Sequence, residues 1–329
     1  MRVALPSAAG RAWILALLAA ALLAVLWLGL GAGATGWRGL ALRDLWRGDE
    51  IVAVLRGPRV ALAAITGASL ALSGIAMQTV VQNDLADPYV LGLAGGASAG
   101  AALSLALEPA LPPGPAAAAG AAGAAVLVRT LVGRSGGDRA RLILAGVAVG
   151  SALASVTGLV VVLAPADRLL RALTFWLFGG MGTPSARALA APSAILLLAL
   201  AVMVFYAERM DRLLLGDDVA ASLGIDVRRF AALLSLLAVL LTASAVSVAG
   251  LIGFVGLMAP HVARQLVGPR HRFLVPAAAL VGSILLVGSD TLARTAFSPI
   301  EVPVGLLTAA LGGPFFLWLL QRRAPWVQC

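Results

Sequence analysis

The chain has 329 residues, 61% of them hydrophobic and only 12% charged, with a mean hydropathy of +0.99; this excludes a soluble domain and places the protein in a bilayer. All 24 basic residues are Arg, so the net charge of +9 reflects a coding bias toward Arg and cytoplasmic loops, not a nucleic-acid-binding face. The single Cys329 excludes a disulfide framework, and two His are too few for a histidine cluster, so no metal site is expected.

Apolar runs, most of them near 20 residues and so able to cross a hydrocarbon core of roughly 30 Å, recur along the chain. They fall at 12–31, 58–81, 90–107, 115–132, 141–163, 190–207, 228–248, 252–267, 273–290 and 303–321. The fold they imply is all-α, a polytopic membrane protein of about ten helices. The first run follows Arg2 and Arg11 like a signal peptide. It exceeds the usual apolar core of about 7–15 residues and lacks a small-x-small cleavage site, so it reads as an uncleaved span. With the N-terminus inside, Arg129, Arg134, Arg139, Arg141, Arg209, Arg212, Arg228, Arg229, Arg264, Arg270, Arg272, Arg322 and Arg323 all fall in cytoplasmic segments. An even number of spans puts both termini in the cytoplasm. The whole chain, 1–329, reads as one transmembrane domain, and 58–163 and 228–321 each hold four spans.

Several segments interrupt the apolar pattern. In 55–92, Pro58 opens a span between Arg56 and Arg59, and Gln78, Gln82, Asn83, Asp84, Asp87 and Pro88 gather at its far end. Those amides and acids suit either a turn that caps the next helix or the lining of a pathway. Gly92, Gly96 and Gly100 recur at every fourth position, which lets neighbouring backbones approach closely. At 208–229 the polar stretch ERMDRLLLGDDVAASLGIDVRR separates two spans. Asp217 is expected to N-cap a short helix with Val219, Ala220 and Leu223 on one face. Gly224 is expected to end it in a left-handed turn, and Asp226 to cap the following span. Such an amphipathic helix, with nothing of its own to bury against, predicts a cytoplasmic docking surface; the alternative is a helix lying on lipid headgroups. No G-x-x-x-x-G-K-[ST] stretch occurs, so the chain is not expected to hydrolyse ATP itself.

The motifs LRGPR (55–59), SGIAMQ (73–78), NDLADPYVLG (83–92), LILAGVAVGSALAS (142–155), LTFWLFGGMG (173–182), SLGIDVRR (222–229), GLIGFVGLMAPHVAR (250–264) and SDTLARTAFSPIEVPVGLLTAALGGPFFLWLL (289–320) occur in this order. Together they resemble the permease subunits of bacterial ABC importers for iron-siderophore, heme and vitamin B12 (type II importers). The resemblance covers nearly the whole chain. One departure is Asp84, where the family usually has proline, which is expected to soften the loop.

The resemblance implies a homodimer in the inner membrane working by alternating access. A cytoplasmic ATPase carries ATP and Mg, a periplasmic binding protein delivers the cargo, and the permease itself binds no cofactor. It implies ATPase coupling through Asp217, Asp218, Ala220, Leu223, Gly224 and Ile225. Arg56, Arg59 and Arg294 would dock the binding protein; alternatively they pair with Asp290 or Glu301. The inner gate would comprise Asn83, Asp84, Asp87 and Pro88. Arg171, Phe175, Trp176 and Gln78 would line the substrate pathway, and Arg-x-Leu-Thr-Phe-Trp at 171–176 is similar to the heme branch. Heme is therefore the expected cargo, with ferric siderophore or vitamin B12 as alternatives. His261 is read as a packing residue and His271 as a solvated loop residue. A secondary transporter would place its acids mid-membrane, and a lipid-modifying enzyme would cluster them at one interface; neither pattern is present.

Overall fold

A computed structural model describes residues 7–33, 36–37, 51–107, 112–133, 139–163, 167–182, 184–296, 298 and 300–321. Helix α1 (Ala8–Gly31) begins at Ser7, whose Oγ accepts the Gly10 N–H. A two-residue antiparallel ladder pairs Ala32 with Trp37 and Gly33 with Gly36. A π-helical turn (Ile51–Arg56) runs into α2 (Gly57–Val81), and a 3-10 turn (Pro88–Leu91) leads into α3 (Leu93–Leu107). Then come α4 (Pro113–Val132), α5 (Arg139–Leu163) and α6 (Asp167–Leu177). α7 (Ala190–Phe205), α8 (Ala207–Leu213) and α9 (Asp217–Ser222) follow. The last four are α10 (Val227–Ala249), α11 (Val255–Val267), α12 (His271–Thr295) and α13 (Val304–Gln321).

Every predicted span contains a helix, but the helices differ in reach. Among the described residues seven are long and apolar enough to cross a bilayer, and α3 and α13 are apolar but shorter. α11 has 13 residues, about 20 Å at 1.5 Å per residue, less than a hydrocarbon core. Its predicted start at 252 moves to 255 because Gly250 and Phe254 both take positive φ, which a helix cannot continue through. α3 likewise starts late, after the left-handed Gly92. α6, an amphipathic helix, was not anticipated from the apolar runs.

α2 is the axis of the molecule: 83% of its apolar window is buried, against 11% for the peripheral α1. Close packing depends on glycine. A Cβ at Gly67 would collide with the Gly282 carbonyl of α12, and one at Gly74 with Gly256 of α11. The predicted glycine stripe on α3 divides its work. Gly96 and Gly100 meet α4, whereas Gly92 and the neighbouring Gly95 meet Gly146 and Gly150 of α5. Buried hydroxyls bridge helices as well: Ser73 Oγ lies 2.7 Å from Thr242 Oγ1, Ser283 Oγ donates to the Ala64 carbonyl at 2.8 Å, and Thr157 Oγ1 donates to Ser98 Oγ at 3.0 Å.

Candidate functional site

Residues 206–229 form a built corner between two long helices. Met210 and Leu213 of α8 are buried. The chain then turns at Gly216 (φ 106°) into α9 and leaves it through Gly224 (φ 80°), the left-handed exit expected. Asp226 Oδ1 accepts the Arg229 N–H at 3.0 Å and caps α10, also as expected. Two expectations need correction. Gly216, not Asp217, occupies the cap position of α9, and Asp217 is its first helical residue. Ala220 also does not share the exposed face of Val219 and Leu223: it is fully buried, while those two are 45% and 50% exposed. Ile225 is buried too, so Ala220 and Ile225 anchor the corner, and Asp218, Leu223 and Gly224 face outward. Leu214 and Leu215 extend the exposed apolar patch. The triple leucine at 213–215, inside an otherwise polar stretch, was the available signal for them.

With Asp217 freed from capping, its carboxylate links three elements. It forms an ion pair with Arg139 at the start of α5 and lies 3.4 Å from Gln82 Nε2. Gln82 sits in the left-handed position that ends α2 (φ 52°), and its Nε2 also donates to the Leu213 carbonyl at 2.6 Å. Arg139 Nε reaches back to the Val80 carbonyl at 3.2 Å. The corner is therefore tied through side chains to the C-terminus of α2 and the N-terminus of α5. Sequence reading missed Arg139 and Gln82 in this role.

The 82–92 loop is pinned at the same end. Asn83 Oδ1 accepts the Leu85 N–H, and Asp84 pairs with Arg264 of α11 at 3.2 Å. Asp84, at the position where the family usually has proline, thus ties the loop to α11 through this ion pair. Asp87 Oδ1 accepts the Tyr89 N–H at 2.9 Å and caps the 3-10 turn, and Pro88 packs on Gly256. Burial pushes the Asp87 carboxyl up to about 6, and the Tyr89 N–H only partly opposes this. Gln78 is 2% exposed and accepts from Arg264 Nη2 at 3.1 Å. In this chain it lies between α2 and α11, which corrects its placement on a pathway wall.

At the opposite end, Arg56, Arg59 and Arg294 do come together, but as a buried network. Arg59 pairs with Asp290 at 3.1 Å and with Glu301 at 3.2 Å, and Arg294 pairs with Asp290 at 3.0 Å. Arg56 donates to the Leu30 and Gly31 carbonyls, and Arg294 to that of Gly29. This is the pairing with Asp290 and Glu301 that the sequence offered as the alternative to docking, and it satisfies both the open C-terminal carbonyls of α1 and the buried Asp290. On α6, Leu173 is buried while Arg171, Thr174 and Phe175 share an exposed face, with exposed Phe178 just beyond the helix; Trp176 is half-buried. His261 stacks edge-on against Phe315, in keeping with packing. His271 is 1% exposed, not solvated: its Nδ1 lies 2.6 Å from Asp211 Oδ1 and its Nε2 3.2 Å from Thr79 Oγ1. Among the described residues no three His, Cys, Asp or Glu gather as a metal site.

A helical membrane body with a glycine-packed axis and an exposed apolar corner tied to two of its long helices has the form of a transport permease. The model of the FecCD transport family matches residues 13–322, and the chain belongs to that family. It is 37% identical over 309 residues to the hemin transport system permease protein HmuU of Yersinia pestis, covering 90% of this chain and 92% of that protein. To the cobalamin import system permease protein BtuC of Halobacterium salinarum it is 42% identical over 276 residues, covering 83% and 74%. A solved structure of a metal-chelate type ABC transporter in an inward-facing conformation superposes with a TM-score of 0.86 at 28% identity, covering 94% of this chain and 99% of that one. The chain is thus a multi-pass permease subunit of an ABC importer of the heme, siderophore or vitamin B12 class, in a family whose ATPase is a separate subunit.

Proposed function

We propose that two copies of this chain form an alternating-access pathway for heme across the bacterial inner membrane, with ten crossings and both termini cytoplasmic. The ATPase seats on the patch of Leu214, Leu215, Val219 and Leu223, with Asp218 and Gly224 at its rim. That exposed apolar patch is the observation that carries the reading, because an apolar surface outside the spans and built on a rigid corner calls for a partner. Motion of the seat passes through Asp217 to Gln82 and Arg139, and so to α2 and α5. The 82–88 loop, with Asn83, Asp84, Asp87 and Pro88, moves with the end of α2 as the inner gate. A periplasmic binding protein meets the opposite end, where Glu301 remains exposed above the arginine network.

The test is reconstitution with the cognate ATPase and binding protein in proteoliposomes. A Val219→Glu/Leu223→Glu variant is expected to stay folded and to lose cargo-stimulated ATP hydrolysis; full stimulation would sink the coupling assignment. Heme as cargo is supported by Arg171 and Phe175 on one exposed face of α6, where a guanidinium can meet a carboxylate and a ring can meet a flat macrocycle. Uptake of heme, a ferric siderophore and cobalamin is measured in parallel. Heme uptake is expected, reduced about tenfold or more in Arg171→Ala, as for a lost charge-assisted contact. The similarity to the cobalamin permease favours vitamin B12 as the second reading, and uptake of cobalamin alone would replace heme with it.

A further inference from the structure

The first turn of α1, helix α8 and the segment leading into α12 line a cavity of about 540 Å³. Arg11 lines it. This residue is 8% exposed, its Nε is buried without a hydrogen-bond partner, and its guanidinium stacks 5.2 Å from the Phe273 ring centroid. Arg270 and Arg272 line the same cavity. Among the described residues none of these three arginines has an ion-pair partner, whereas Arg56, Arg59, Arg139, Arg264 and Arg294 are all held by carboxylates or backbone carbonyls. The two carboxylates at the cavity are engaged elsewhere: Glu208 pairs with Arg212, and Asp211 receives His271. Ala8, whose N–H is among the donors left open at a helix start, also lines the wall. Among the described residues the cavity thus sets three guanidinia and a helix N-terminus against two carboxylates, each of which already has a partner, and it carries an excess of positive charge.

We propose that this cavity binds the phosphate of an anionic phospholipid headgroup. The buried Nε–H of Arg11 lacks an acceptor, which is costly, and a phosphate oxygen supplies one in the geometry that an Arg fork matches. The helix N-terminus favours the same charge. Position selects lipid over a soluble phosphate. The cavity lies where the peripheral α1 and α12 begin, at the level where spans meet headgroups, and basic pockets between helices at that level receive anionic lipids. The bound lipid fixes the peripheral α1 against α12 beside the corner of α8.

The experiment is native mass spectrometry of the full-length permease in neutral detergent. The probes are phosphatidylglycerol, cardiolipin, phosphatidylcholine and inorganic phosphate. Phosphatidylglycerol and cardiolipin are expected to remain bound in preference to phosphatidylcholine. Arg270→Gln/Arg272→Gln, at two exposed positions, is expected to weaken retention by about fivefold per arginine without changing the melting temperature in lipid-free detergent. Arg11→Gln should weaken it at least as much; if that variant does not fold, the double variant carries the test alone. Equal retention of phosphatidylcholine, or unchanged retention in the double variant, overturns the proposal. Inorganic phosphate binding that the arginine variants lose, with no preference among lipids, overturns the lipid assignment in favour of a soluble anion.

Discussion

Asp87 is one residue whose environment changes its chemistry. It is partly buried, caps the 3-10 turn through the Tyr89 N–H, and has its carboxyl pushed up from 3.8 to about 6. Its ordinary value applies in the unfolded chain, so between those pH values the folded protein holds a proton that the unfolded chain has released. Stability from this group is therefore full below about pH 4 and is lost as pH rises through about 6. Melting temperatures measured in detergent from pH 4 to 7 are expected to fall with rising pH, and Asp87→Asn to flatten that slope. An unchanged slope in the variant would show that the acid is not the group titrating. The motif around Asp87 was legible in the sequence, including its suitability as a cap. Its neighbour Asp84 was not, because the Arg264 that restrains it lies on α11.

At the scale of elements, α9 shows how a short helix acquires a role from its ties. Six residues cannot hold a helix alone, and burial of Ala220 and Ile225 supplies the support. The ion pair of Asp217 with Arg139 is about one-third exposed on each side, 32% and 31%, so it adds only about 0.2–1 kcal/mol to stability. Its function is geometric. Asp217→Asn is expected to leave melting temperature and ATPase binding nearly unchanged while cutting cargo-stimulated ATP hydrolysis about fivefold or more, the range of a typical coupling energy. Arg139→Gln should do the same, and the double variant should be no worse than either single one. Additive losses in the double variant would mean that the two residues act separately. The turn at Gly224 and the cap at Asp226 are local and could be read from spacing. The ion pair of Asp217 could not, since its partner is 78 residues away.

Across the whole molecule, the network of Arg56, Arg59, Arg294 and Asp290 binds α1, α2 and α12 at one end as the Asp217 links bind the other. Asp290 is 1% exposed and depends on two guanidinia. Arg59→Gln is expected to cost about 3 kcal/mol, the low end for breaking a buried pair, because Arg294 remains. Chemical denaturation in detergent measures this, and a loss below about 0.5 kcal/mol would reduce the network to a solvated surface pair. Sequence by itself determined the membrane class, the approximate position of each apolar helix, the family and the polar corner between two spans. Those follow from hydropathy, glycine spacing and caps, which act within a few residues. Only the tertiary structure decided which arginines are free and which are held, that Gln78 and His271 are buried, and that the corner is latched to α2 and α5. A charge's partner is set by which helix ends meet in space, and Arg59 finds Asp290 across 231 residues that no local pattern spans.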